Sequence, residues 1–386
     1  MKLLKIGTLN LPRNRWLDAL EYFEKVYVFC WDFECELDNE NFVYIKIPSA
    51  TFLNKCCRFF IVRTTSGKSF FYIQKVFIYI FKMINKKYIK QIPFNEIDYF
   101  HSSYNDFDES NLFTLILPKD LKITRAQKET RIDNNNLEYA CMKRCERIIL
   151  NDIACKKFFE QKYGNTFFDG KEVVLNLDED VRYSKLASII EYSSKLSEKD
   201  GKIHAVILAG RVLSDKKDKR SGGRLYYLDT INSLLEVGIV VHLHTKTIVP
   251  FFGENPYAVL ATENKNFIIE PPLDFEGDPK KAYRTLSRYD IGILHAYITT
   301  ESVSLFDKVN IPHRYYEYLL GHVCPIVPKG KSIVIERLFK EKHSGLIYEK
   351  LSDITLDKLQ EISYENVFFK DYFQKCISNR FSRMWF

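Results

Sequence analysis

An apolar run at residues 3–9, a helix-spaced stretch at 15–25 and a second apolar run at 26–31 predict strand, helix and strand in succession. Residues 71–90 read as a further helix, in which Ile73, Val76, Phe77, Ile80, Phe81 and Ile84 recur at helical spacing. Strands are expected at 96–101, 121–124 and 148–150, the last fed by the segment 137–147. Asn151 and Asp152 then cap a helix that closes at Tyr163 and Gly164. In the second half, residues 204–209 form a continuous apolar run, the pattern of a parallel strand covered on both faces. A helix at 225–237, stopped by Gly238, leads to a strand at 239–244. Strands at 267–270, 291–295 and 324–327 follow, with helices at 279–286 and 313–320.

Strands alternating with helices through 386 residues exceed one hydrophobic core and predict an α/β chain of two Rossmann-like, doubly wound domains. Their expected bounds are 1–165 and 201–365. A polar linker region at 166–200 separates them, and a helical tail at 366–386 packs back on the first. The 46% apolar content and the 54 Phe and Tyr exclude a disordered or fibrous chain. A net charge of +7 reads as mild and widely spread, so it does not call for nucleic acid; anionic small molecules or an anionic membrane fit equally well. The nine cysteines lack CxxC pairs and read as reduced, buried thiols. The short apolar start before Gly7 is no signal-peptide core, and 70–84, broken by Gln74, Lys75 and Lys82, is too short to span a bilayer. A cytoplasmic protein is expected.

Candidate chemistry clusters in the second half. Gly210 and Arg211 end the apolar run 204–209, a basic loop fills 215–223, and Arg224 opens the next helix. A close backbone turn, fixed cations and a helix N-terminus at the carboxyl edge of a parallel sheet suit an anion. Further on stand Ser287-Arg288-Tyr289-Asp290-Ile291-Gly292-Ile293 and Asn310-Ile311-Pro312-His313-Arg314-Tyr315-Tyr316-Glu317-Tyr318-Leu319-Leu320-Gly321. In this order and spacing, the segments resemble the C-terminal domain of family-4-like GT-B glycosyltransferases.

That resemblance implies a nucleotide-sugar donor, a glycan or lipid-linked acceptor and a cleft between the two domains, with sugar transfer as the activity. It assigns diphosphate contact to Arg211 and Arg224 beside Gly210, and ribose binding to Glu317 behind the variant Pro312-His313-Arg314 motif. Base recognition falls to the turn with Pro272 and Leu273. Of the family's acid pair, the first position is Val309, which leaves stereochemistry open. In the first half, Asp98-Tyr99-Phe100-His101 resembles a family strand, and Arg125 stands near the place of a sugar-facing His. Each of these also has a plain reading: a structural hydrogen bond for His101, a salt bridge to Glu129 for Arg125, an exposed helix position for Glu317, and a solvated loop for Arg224. Asp106 and Asp108, like Asp178 and Asp180, have Asp-x-Asp spacing but no suitable strand before them, so neither a metal nor another cofactor is expected. A sugar-nucleotide epimerase of the same fold and a catalytically silent binding subunit are the alternatives. The helical stripe at 73–84 reads most simply as core; the alternative is a lysine-flanked surface touching the inner membrane.

Overall fold

Strand β1 (Lys2–Ile6) lies in parallel between β2 (Lys25–Trp31) and β4 (Tyr99–Ser103), its aliphatic residues fully covered. Adding β3 (Phe42–Ile47), β5 (Ile123–Gln127), β6 (Arg147–Leu150) and β7 (Glu172–Leu175) gives a parallel sheet of order β3-β2-β1-β4-β5-β6-β7. The computed structural model describes residues 1–7, 19–32, 36–63, 70–103, 109–128, 136–175, 190–215, 225–249, 255–275, 277–295, 308–362 and 364. These divide into two compact units, one carried by residues up to Leu175, the other by residues from Ile190.

The second unit repeats the plan. Its strands are β8 (His204–Leu213), β9 (Val240–Val249), β10 (Phe267–Glu270), β11 (Ile291–Ile293), β12 (Cys324–Pro328) and β13 (Leu346–Tyr348). They are parallel in the order β10-β9-β8-β11-β12-β13. The order reverses beside β8, and a doubly wound sheet opens its ligand crevice at such a reversal, at the carboxyl ends of the strands. Ala205, Ile207, Val241, Leu243, Ile291, Ile293 and Ile326 form the core with Ile231 and Leu234 of the Leu228–Glu236 helix. The helix boundaries follow their caps. Asn255 and Asp278 each accept a backbone N–H at the start of a helix whose first residue is proline.

Several expectations shift. The helix expected at 15–25 is, within the described residues, a single 3-10 turn at Ala19–Glu21; Lys25 already pairs with Lys2 in the sheet. The strand expected at 121–124 is β5, two residues later, because Ile123 is where pairing with Phe100 begins. β8 and β9 run well past 209 and 244. Their extra length pairs with itself, Arg211 opposite Thr247 and Leu213 opposite Val249, beyond the reach of β10 and β11. The strands β3 and β13 are not among those expected, and β7 falls within the stretch 166–200 expected as linker. The largest departure concerns the stripe in the Phe70–Ile84 helix. Of its six residues only Phe81 is fully buried, while Ile73, Val76 and Ile80 are exposed. Among the described residues no helix is long and apolar enough to cross a membrane, and seven cysteines are free thiols.

Candidate functional site

At the reversal in the second sheet, β11 pairs with β8 only through Ala205 and Val206. Beyond that point a side chain takes over. The Tyr318 hydroxyl, fully buried, accepts from the Leu208 N–H at 3.2 Å and lies 3.2 Å from the carbonyls of Val206 and Ile293. It therefore stitches the two strands where their own ladder ends. Gly292 makes this possible: a Cβ there would lie 2.5 Å from the Tyr318 ring. The glycine of the Asp-Ile-Gly segment is thus required by packing, with ordinary backbone geometry. Asp290 beside it is structural too. Its carboxylate accepts from the Ser197 hydroxyl at 2.5 Å and the His204 N–H at 2.8 Å.

Tyr318 belongs to the Arg314–Leu320 helix, whose Tyr315, Tyr316, Leu319 and Leu320 are also buried. One turn toward its N-terminus, on the same face, stands Arg314. Its guanidinium donates to the Tyr227 hydroxyl at 2.6 Å, and Tyr227 is the N-cap residue of the Leu228–Glu236 helix. The Tyr257 hydroxyl accepts from the Tyr227 N–H at 2.9 Å and donates to the Leu213 carbonyl at 3.1 Å, which fixes that helix start to the end of β8. His295, two residues past β11, is buried. Burial and the nearby Arg314 charge push its pKa down to about 3, so it is neutral at physiological pH. Glu317 is half-buried one turn into the helix and His313 is exposed at its N-cap. A cation, a carboxylate, a neutral imidazole and a helix N-terminus therefore meet at the carboxyl edge of this sheet. Together they can hold an anion and accept hydroxyl protons.

The other expected residues fall as follows. Gly210 and Arg211 do not end their strand; they are exposed within the part of β8 that continues beyond the sheet with β9. Pro272 and Leu273 follow β10, and their turn is pinned: His244 Nδ1 lies 2.5 Å from the Pro271 carbonyl and its Nε2 2.8 Å from the Tyr289 hydroxyl. A neutral His244 satisfies both by donating from Nδ1 and accepting at Nε2, and burial lowers its pKa accordingly. Arg224, Asp106, Asp108, Asp178 and Asp180 lie outside the described residues, as does Glu129. In the first unit, His101 is buried in β4 and Arg125 in the middle of β5. Arg125 donates to the Gln127 side chain at 2.6 Å, the Ser102 hydroxyl at 3.1 Å and Cys141 Sγ at 3.0 Å.

Tyr227, Tyr257, His295 and Tyr318 are not among the site residues expected from the sequence. Tyr318 and His295 lay inside segments already singled out, and a His ending a core strand was the available signal. Tyr227 and Tyr257 act through contacts 87 and 44 residues away, to Arg314 and Leu213, and nothing local announces that.

Two successive Rossmann-like units of this strand order define the GT-B fold class. No protein-family model and no curated protein matches the sequence. Among solved structures, the chain is similar to trehalose-6-phosphate from E. coli bound with UDP-2-fluoro glucose (TM-score 0.56, 11% identity, 95% of this chain and 92% of that one). It is also similar to Anabaena HepE in complex with UDP (0.53, 10%, 94% and 92%). A third is the UDP-forming α,α-trehalose-phosphate synthase from Burkholderia xenovorans in complex with glucose-6-phosphate (0.52, 8%, 94% and 95%). At these identities the likeness is one of fold.

Proposed function

We propose that the protein is a hexosyltransferase-type glycosyltransferase, which moves a sugar from a nucleotide-sugar donor to a glycan or glycolipid acceptor in surface polysaccharide or glycoconjugate synthesis. The observation that carries this reading is the Arg314–Tyr227 hydrogen bond, made from the same helix whose Tyr318 bridges β8 and β11 at their reversal. The UDP and UDP-sugar complexes of structures sharing the fold support it.

In this reading the acceptor hydroxyl oxygen bonds to the anomeric carbon as the bond from that carbon to the phosphate oxygen breaks. The nucleotide departs with the electron pair, and the hydroxyl proton passes to the departing phosphate. Negative charge grows on the diphosphate, so fixed cations accelerate the step. We assign Arg211 and Arg224, with the Gly210 backbone, to the diphosphate, and Arg314 and His313 to the same anion from the helix N-terminus. Glu317 accepts from the ribose hydroxyls, and Pro272 and Leu273 face the base. Arg125, with no exposed surface, serves as a positioning residue that ties β4, β5 and the Asn136–Arg144 helix together, with His101 beside it in the same sheet. Arginines carrying the phosphate charge remove the need for a metal.

Donor turnover is the test. Arg211→Ala and Arg224→Ala should each lower turnover roughly ten- to a hundredfold while weakening binding of the intact donor less, and EDTA should leave wild-type turnover unchanged. Near-normal turnover in both variants overturns the clamp. Loss with EDTA and recovery with manganese sends the assignment back to Asp178 and Asp180.

A further inference from the structure

The helices Phe52–Arg63 and Phe70–Ile84 form one platform on the first unit. Phe60 stacks on Phe77 with ring centroids 4.5 Å apart, and the Gln74 amide donates to the Ile61 carbonyl at 3.2 Å. The buried Asn54 and Asn85 exchange amide hydrogen bonds at 3.3 and 2.9 Å. The inner side is anchored by Cys57, Ile61 and Phe81, the last edge-on to Trp31 at 5.7 Å.

The outer side is apolar. Tyr72, Val76, Tyr79 and Met83 recur at i, i+4, i+7 and i+11 and are between 51% and 74% exposed, with Phe52 and Phe59 at 78% and 48% on the other helix. Of the sixteen exposed large hydrophobics among the described residues, ten lie between Phe52 and Met83. That is a patch and no longer the scatter of single residues normal on a protein surface.

Charge follows the same segment. Between Glu40 and Glu96 there is no Asp or Glu, yet ten Lys and Arg; the other 47 of the chain's 57 face all 50 of its acids. The net positive charge, which reads as spread when only the total is considered, resides here. Lys55, Lys75, Lys86 and Lys87 are exposed around the apolar face.

We propose that this platform seats the protein on an anionic bilayer, the outer face of the two helices entering the headgroup layer and the lysines meeting lipid phosphates. An apolar helix face rimmed by cations and with tyrosines among its exposed residues has the chemistry of an interfacial helix. Neither helix is long enough to span. A second copy fits poorly, because two such faces oppose positive segments that contain no acid. The inference is independent of the nucleotide reading.

Flotation of the full chain with vesicles tests it. Phosphatidylcholine vesicles containing phosphatidylglycerol should carry the protein up, pure phosphatidylcholine should carry far less, and added salt should release it. The triple variant Tyr72→Ser, Val76→Ser, Tyr79→Ser should lower the partition roughly a hundredfold, and each of Lys55→Glu and Lys75→Glu about fivefold. Thermal unfolding and donor turnover with a water-soluble acceptor should stay at wild-type values in the triple variant, which separates this inference from the proposed activity. Absence of wild-type flotation on anionic vesicles overturns the proposal, as does flotation indifferent to the serines. So does a wild-type dimer in sedimentation that the serines dissociate without any vesicle binding, since the face would then join copies of the chain.

Discussion

Two apolar helices meet opposite fates in this molecule. The Arg314–Leu320 helix buries five of its seven residues and spends that contact on holding Tyr318 between β8 and β11. The Phe70–Ile84 helix is richer in large apolar side chains, yet turns Tyr72, Ile73, Val76, Tyr79, Ile80 and Met83 outward. Hydrophobicity alone therefore does not say which face a fold consumes. In the second unit the neighbouring strand fixes the answer, because Gly292 leaves a slot that only the Tyr318 ring fills. In the first unit the Phe52–Arg63 helix and the sheet take just one narrow edge of the helix, Phe81 foremost.

The comparison breaks most sharply at Gly292. Gly292→Ala forces a methyl to within 2.5 Å of the Tyr318 ring, an overpacking expected to cost about 1–3 kcal/mol. Tyr318→Phe, which strands the Leu208 N–H and removes the one hydroxyl hydrogen offered to the Val206 and Ile293 carbonyls, should cost a similar amount. The serine substitutions on the outer face at Tyr72, Val76 and Tyr79 should instead stay within about 0.5 kcal/mol of wild type. Denaturant unfolding read by circular dichroism orders them. Equal losses on the two helices would mean that the outer face is packed after all.

A smaller effect lies in the histidines of β8 and β9. His242 is buried, with Nε2 3.0 Å from His204 Nδ1 and Nδ1 3.3 Å from the Glu270 carboxylate. Burial, aided by the neighbouring His204, pushes its pKa down to about 4. The folded value lies below the ordinary 6.5, so protons bind the unfolded chain more tightly. Its contribution to stability is complete above about pH 6.5 and is lost progressively as the pH falls toward about 4. The melting temperature should drop by several degrees across that window, and less in His242→Gln. A flat profile would contradict the buried neutral assignment.

Much of the second unit was legible in the sequence because its signals are local. A helix is legible from Pro279, Gly238 ends another, the apolar run at 204–209 reads as a covered strand and 324–327 as a further strand. What was not legible depends on partners distant in sequence. Gly210 and Arg211 look like a strand's end, and only the pairing of Arg211 with Thr247 carries β8 on to Leu213. The Arg314–Tyr227 contact joins residues 87 positions apart. The sequence leaves the orientation of the Phe70–Ile84 helix open between core and surface, because an apolar stripe has the same period whichever it meets.

On the proposed function, the carboxyl edge of the second sheet holds a nucleotide. Calorimetric titration with UDP, GDP and CMP, on wild type and on Glu317→Ala, tests it most directly. One of these nucleotides should bind the wild type, and the folded variant should bind it roughly tenfold more weakly, as expected for losing a charged hydrogen-bond acceptor. Absence of binding by every nucleotide, or unchanged affinity in a folded Glu317→Ala, would contradict the account.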